Sequence, residues 1–158
     1  RQIFVALNEA AQAWSQCGVP SRVLTWSSEV GWPKDAILVQ WSDEGNRRNF
    51  GLANVGERTL SLGPAAFELL RTRNRAFDSR QTLQMVISHE MGHLFGLMSH
   101  SRRCVDVTSY YSNGKGELCT IRGGAALQPG VEYRSLMPTA GDIQRCRIAN
   151  SKPAIAQR

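Results

Sequence analysis

All three histidines of the chain fall between residues 89 and 100, which read HEMGHLFGLMSH. His89 and His93 stand four apart, so on a helix both imidazoles project from one face about 6 Å apart, and each can reach one zinc ion at about 2.0–2.1 Å. Such an ion needs a third protein ligand. A continuous helix cannot bring His100 to it, because eleven residues from His89 carry a side chain about 16 Å along the axis. The chain must turn back, and Gly96 supplies the means, since glycine takes the left-handed conformation at little cost and ends a helix there.

Glu90 follows His89 directly and points to the flank of such a site. Zinc lowers the pKa of its bound water to about 7 and polarises a peptide carbonyl, and a flanking carboxylate can take the water's proton and pass it to the leaving amine. That chemistry is peptide hydrolysis with no covalent intermediate. HExxH alone also occurs on solvated helix faces; Gly96 and His100, in a chain with no other histidine, favour a metal site. The pattern specifies one catalytic zinc and leaves structural calcium unassigned.

Several elements must position these groups. Apolar residues Phe4, Leu7, Ala10, Ala11 and Trp14 recur at helical steps through Ile3 to Cys17, and Gly18-Val19-Pro20 stops that helix. Residues 22–26, 36–41, 49–55 and 58–62 are short β-branched or aromatic runs bounded by turn formers, and they predict strands, the last two at an antiparallel or mixed sheet edge that Pro64 ends. Asp78 or Ser79 caps a helix running to Gly96 that carries the HExxH pattern. Beyond His100 the sequence predicts loops, then a last helix from near Thr139 with Asp142, Ile143, Cys146 and Ile148 on its inner side.

At 158 residues, 42% hydrophobic and 20% charged, the chain predicts one folded domain over residues 1–158. Nineteen Lys and Arg against thirteen Asp and Glu leave +6, which could serve an anionic partner. The densest basic stretch, Arg71, Arg73, Arg75 and Arg80, has only Phe77 as a stacking ring and reads as a solvated face, so nucleic acid is not the expected partner. A protein or peptide substrate and a monomeric state are expected. No apolar run approaches the roughly 20 residues that cross a bilayer.

The four cysteines form an even set without a CxxC pair, which fits disulfides better than metal thiolates. Of three pairings, Cys104–Cys119 as a local staple with Cys17–Cys146 joining the two ends is favoured. Disulfides imply an oxidising, extracellular setting. The chain starts at Arg1 rather than Met, so a signal or pro-segment would lie outside it.

With these residues in view, the sequence resembles the metzincin metalloproteases, and among them the matrixin-type catalytic domain. The likeness runs through Ala13-Trp14-Ser15 ending the first helix, Asp35-Ala36-Ile37-Leu38-Val39, Gly51-Leu52-Ala53, the zinc helix and Asp142-Ile143-Gln144. It implies an α+β fold: a twisted mixed sheet with an edge strand over a horizontal cleft, an opening helix, a zinc helix and a C-terminal helix. It also implies a zinc endopeptidase with His89, His93 and His100 as ligands and Glu90 as base. An extended substrate would pair antiparallel with the edge strand at residues 50–62, with Gly51, Leu52 and Ala53 its nearest contacts.

The sequence departs from that family twice. The third ligand normally lies three residues after the glycine, where Ser99 stands; a hydroxyl is a poor zinc ligand beside an imidazole, so His100 is expected to serve across a slightly wider turn. The family's methionine turn has two candidate places. The shorter spacing falls on residues 106–110, with Thr108 in place of methionine, and the longer on residues 133–137, which keeps Met137 and is preferred. Tyr110 would be the oxyanion donor in the first alignment and no tyrosine in the second, so Tyr110, Tyr111 and Tyr133 stay unassigned.

One rival is a thermolysin-like peptidase in which Glu117 or Glu132 completes the site, although both lie in turn-forming rather than helical sequence. Another is a non-catalytic zinc-containing binding module, against which Glu90 argues, since a structural zinc needs no base.

Overall fold

A computed structural model describes residues 1–27, 29, 31–47, 49–73, 78–128 and 131–151. They form a mixed α+β structure of four helices and a three-stranded sheet. Helix α1 (Gln2–Trp14) continues through a single 3₁₀ turn (Ser15–Cys17) that Gly18 ends with φ +87°. Its buried stripe is Ala6, Leu7, Ala10, Ala11 and Trp14, whereas Phe4, expected on that stripe, is exposed.

Strands β1 (Leu38–Trp41), β2 (Gly51–Asn54) and β3 (Thr59–Leu62) lie in the order β1-β3-β2, with β1 parallel and β2 antiparallel to β3. They are shorter than the sequence predicted. Asp35 and Arg58 take positive φ just before β1 and β3, a backbone state that strands do not continue through. The strand expected at residues 22–26 is not formed: those residues carry no sheet pairing and most are exposed, with Trp26 packed edge-on against Trp32 at 5.3 Å between ring centroids.

Pro64, read as a stop, also begins helix α2 (Pro64–Arg73). A first-turn proline has no N–H to waste and its φ is already helical. The next N–H, of Ala65, is satisfied from outside by Asp43 Oδ1 at 3.0 Å. Arg71 and Arg73 sit in the last turn, where the helix dipole favours cations; Arg75 and Phe77 lie outside the described residues.

Helix α3 (Ser79–Leu94) starts at Asp78, whose carboxylate accepts from the N–H groups of Arg80 and Gln81. It is the centre of the core, with Leu83 and every residue from Met85 to Gly92 buried. Trp14 braces it: the ring is fully buried, its indole N–H donates to the Ser88 carbonyl at 3.0 Å, and it stacks on Phe95. Helix α4 (Ala140–Asn150) opens with a capping box in which Thr139 and Asp142 satisfy each other's backbone. Ile143 and Cys146 face the core, but Ile148, expected beside them, is 66% exposed.

Cys17 is joined to Cys146 across 129 residues, and Cys104 to Cys119 across 15. Bridging a 15-residue loop restricts the unfolded chain by about 3 kcal/mol, and a longer one by somewhat more. Reducing both bridges is therefore expected to lower the thermal midpoint by roughly 15–30 °C. An unchanged midpoint in reductant would show that the bridges do not stabilise the fold. Among the described residues no helix is long and apolar enough to cross a membrane.

Candidate metal centre

Helix α3 and the turn after it assemble the site. Phe95 ends the helix, and Gly96 at φ +99° reverses the chain, with the Leu97 N–H returning to the Gly92 carbonyl at 3.0 Å. This brings His100 back beside the helix, where the rings of His89, His93 and His100 stand 5.0–5.2 Å apart by centroid. One ring nitrogen from each lies within 4.8 Å of the other two. These residues can hold a metal ion.

Backbone carbonyls decide which nitrogen is free. His89 Nδ1 donates to the Val107 carbonyl and His93 Nδ1 to the Leu97 carbonyl, each at 2.7 Å. A carbonyl only accepts, so both protons sit on Nδ1, and each Nε2 keeps its lone pair for a metal. Burial first, and then electrostatic repulsion from neighbouring groups, holds His89 down to about 3 and His100 down to about 4. At neutral pH both are uncharged and need shed no proton to become ligands.

The chemistry of this donor set suits zinc, for which three neutral imidazoles with an open position form a standard catalytic arrangement. Ser99 is not part of the cluster; its carbonyl accepts from the Arg145 guanidinium. His100→Ala is expected to weaken zinc binding by about 100-fold or more, and Ser99→Ala by little, in a chelator-competition titration. Full zinc affinity in His100→Ala would refute this ligand set.

Glu90 is buried beside the histidines, and its Oε2 accepts the backbone N–H of Ala53 in β2 at 2.8 Å. Burial raises its pKa, partly opposed by that hydrogen bond. Strand β2 reaches the carboxylate because Gly51 has no side chain: a Cβ there would stand 2.5 Å from Val86 Cγ1 and 3.0 Å from Glu90 Cγ. The β2–β3 register turns the backbone groups of Leu52 towards β3 and those of Gly51 and Ala53 away from it, so the outer edge of β2 runs along the helix that carries the site.

The segment that touches the histidines is 107–110. Val107 holds His89 through its carbonyl, and the Tyr110 ring lies 4.6 Å from that of His100. Thr108 between them is fully buried against Gly92, whose added Cβ would come within 2.6 Å of Thr108 Cγ2. Met137, the preferred alternative, instead brings its sulfur to the Ser88 hydroxyl at 3.6 Å.

The rival glutamates are otherwise engaged. Glu132 makes a two-pronged pair with Arg134 at 2.8 and 3.1 Å, and exposed Glu117 accepts from the Asn113 side chain. Comparison with family models, curated proteins and solved structures finds no match.

Two supporting residues lay beyond sequence reasoning. The fully buried Asp142 accepts from the N–H groups of Val107, Thr108 and Thr139 and from the Thr108 hydroxyl, holding the strip that orients His89. Its place in the Thr139 capping box was a local signal; its partners 34 and 35 residues away left none. Arg134 acts on the charges of His89, Glu90 and His100 alike, and no local pattern marks it.

Proposed function

We propose that the protein is a zinc-dependent endopeptidase of the metzincin kind, close in design to the matrixin catalytic domain. The observation that carries this reading is a buried carboxylate, Glu90, hydrogen-bonded to an edge strand immediately beside three imidazoles able to share one metal ion. Zinc held by His89, His93 and His100 would polarise a peptide carbonyl and make water acidic enough to attack it near neutral pH.

The chain's own residues then have distinct tasks. Glu90, its pKa raised by burial, takes the proton of the attacking water and delivers it to the leaving amine. The Ala53 N–H aims that carboxylate. The outer edge of β2, with the backbone groups of Gly51 and the Ala53 carbonyl facing away from β3, offers an extended substrate a strand to pair with, and Leu52 contributes backbone pairing to β3 behind it. Residues 106–110, with Thr108 at their centre, take the place of the methionine turn, since they support His89 and His100 directly. Two disulfides are compatible with work outside the cell, where such bonds persist.

The test pairs elemental analysis with digestion of an unstructured protein. One zinc per chain and cleavage that stops on chelation and returns with zinc support the proposal. Absence of zinc from protein prepared in its presence would refute it. One zinc without cleavage would favour a binding module.

A further inference from the structure

His100 belongs to the metal cluster and also lines a cavity of about 420 Å³ that the mechanism above leaves unused. Two stretches of chain form its walls, residues 99–102 and Tyr110 with residues 112–114. Several struts fix these walls to each other. The Thr120 N–H donates to the Arg102 carbonyl at 2.7 Å, the Arg102 guanidinium donates to the Glu117 and Leu118 carbonyls, and Cys119 is bonded to Cys104. Ser112 is bridged antiparallel to Leu118, and Asn113 Oδ1 accepts the N–H groups of Lys115 and Glu117 at 3.0 Å each. The cavity thus has its shape before any ligand arrives, and it opens at a residue able to hold the metal.

Its lining has no aliphatic side chain and no carboxylate; serine hydroxyls, the Tyr110 phenol, the Asn113 amide, an imidazole and the Arg102 guanidinium make it up. An apolar group entering it would strip water from polar atoms without replacing their hydrogen bonds. Arg102 spends two of its five N–H groups on carbonyls and enters no ion pair among the described residues, so its charge is unmatched. Two acids are bonded to lining residues, Glu117 to Asn113 and Asp106 to Ser101, but neither is part of the lining. With both lone pairs of Asn113 Oδ1 already taken, the walls offer chiefly donors and one cation. A guanidinium already held along its length by carbonyls receives a carboxylate with little further loss of freedom.

We infer that this cavity is a substrate subsite for an Asp or Glu side chain close to the scissile bond, with Arg102 as its charged anchor. The inference rests on the peptidase reading. A peptide carbonyl at a metal held by His100 puts the neighbouring substrate residues beside the same imidazole. Residues of an extended chain follow one another at about 3.3 Å, so a side chain one or two places from the cut reaches the cavity.

Cut sites in an unstructured protein are first mapped by mass spectrometry with zinc-loaded protein. Peptides capped at both ends then carry Glu or Gln at each position flanking the bond, so any gain belongs to the side chain. At one position kcat/KM is expected to be at least about ten-fold higher for Glu than for Gln, and the same preference should appear in the Kd of zinc-loaded Glu90→Gln, which binds without cutting. Arg102→Gln should bring that ratio within about three-fold of unity, and Arg102→Lys should keep part of it. Ser112→Asp sets a carboxylate in the other wall with the Arg102 hydrogen bonds intact, and should likewise erase the preference or invert it. Retention of the wild-type ratio in either Arg102→Gln or Ser112→Asp would overturn the inference alone, as would no Glu preference at any position in wild-type protein that cuts in a chelator-sensitive way. Failure of zinc-loaded wild type to cut any peptide would overturn the peptidase reading and this inference together.

Discussion

Glu90→Gln is expected to lower cleavage of an unstructured protein by about 10²–10⁴-fold, the usual worth of a positioned general base, while zinc content stays at the wild-type level. Glutamine has the same shape and can still accept the Ala53 N–H through its amide oxygen, so the contact between α3 and β2 survives. What it cannot do is take a proton. In transition-state terms the loss is about 3–5 kcal/mol, applied to one step with the fold intact. Unfolding curves recorded beside the assay should therefore nearly coincide for the two proteins. Cleavage within ten-fold of wild type in Glu90→Gln would remove this residue from the reaction.

Asp142→Asn should produce the opposite pattern, a loss of stability first and of activity as its consequence. The carboxylate is fully buried and accepts from three backbone N–H groups and a hydroxyl. An amide presents only one oxygen and turns an NH₂ towards donors, leaving some of them unmet in a place water does not reach. The expected cost is about 3 kcal/mol or more, seen as a lower urea midpoint. Because Asp142 fixes the Val107 N–H and the Val107 carbonyl orients His89, zinc affinity should fall as well. A wild-type midpoint with weakened zinc binding, or the reverse, would show that these two roles are separate.

How much of this could be read in the sequence follows from how local each determinant is. The spacing of His89 and His93, the cap at Asp78, the reversal at Gly96 and the box at Thr139 are each decided within a few residues, and each appears at the position its residues indicate. Pro64 was ambiguous because the same fixed φ that ends a strand begins a helix, and the group that satisfies its first turn, Asp43, lies 22 residues upstream of Ala65. Residues 22–26 have strand-like composition, but composition supplies no partner. The supports of the site depend on meetings between distant segments: Ala53 with Glu90 across 37 residues and Val107 with His89 across 18. Their residue types alone gave no reason to pair them.

The bond from Cys17 to Cys146 has one more consequence, which concerns topology. It makes the stretch between those residues a covalent ring. A single break in the backbone anywhere on that ring opens it without releasing a fragment, and the inner bond between Cys104 and Cys119 secures the most loop-rich arc a second time. For a protein proposed to cut polypeptides, a first accidental nick elsewhere on the ring would leave both new ends attached to one molecule, with the three histidines still on a single 12-residue arc.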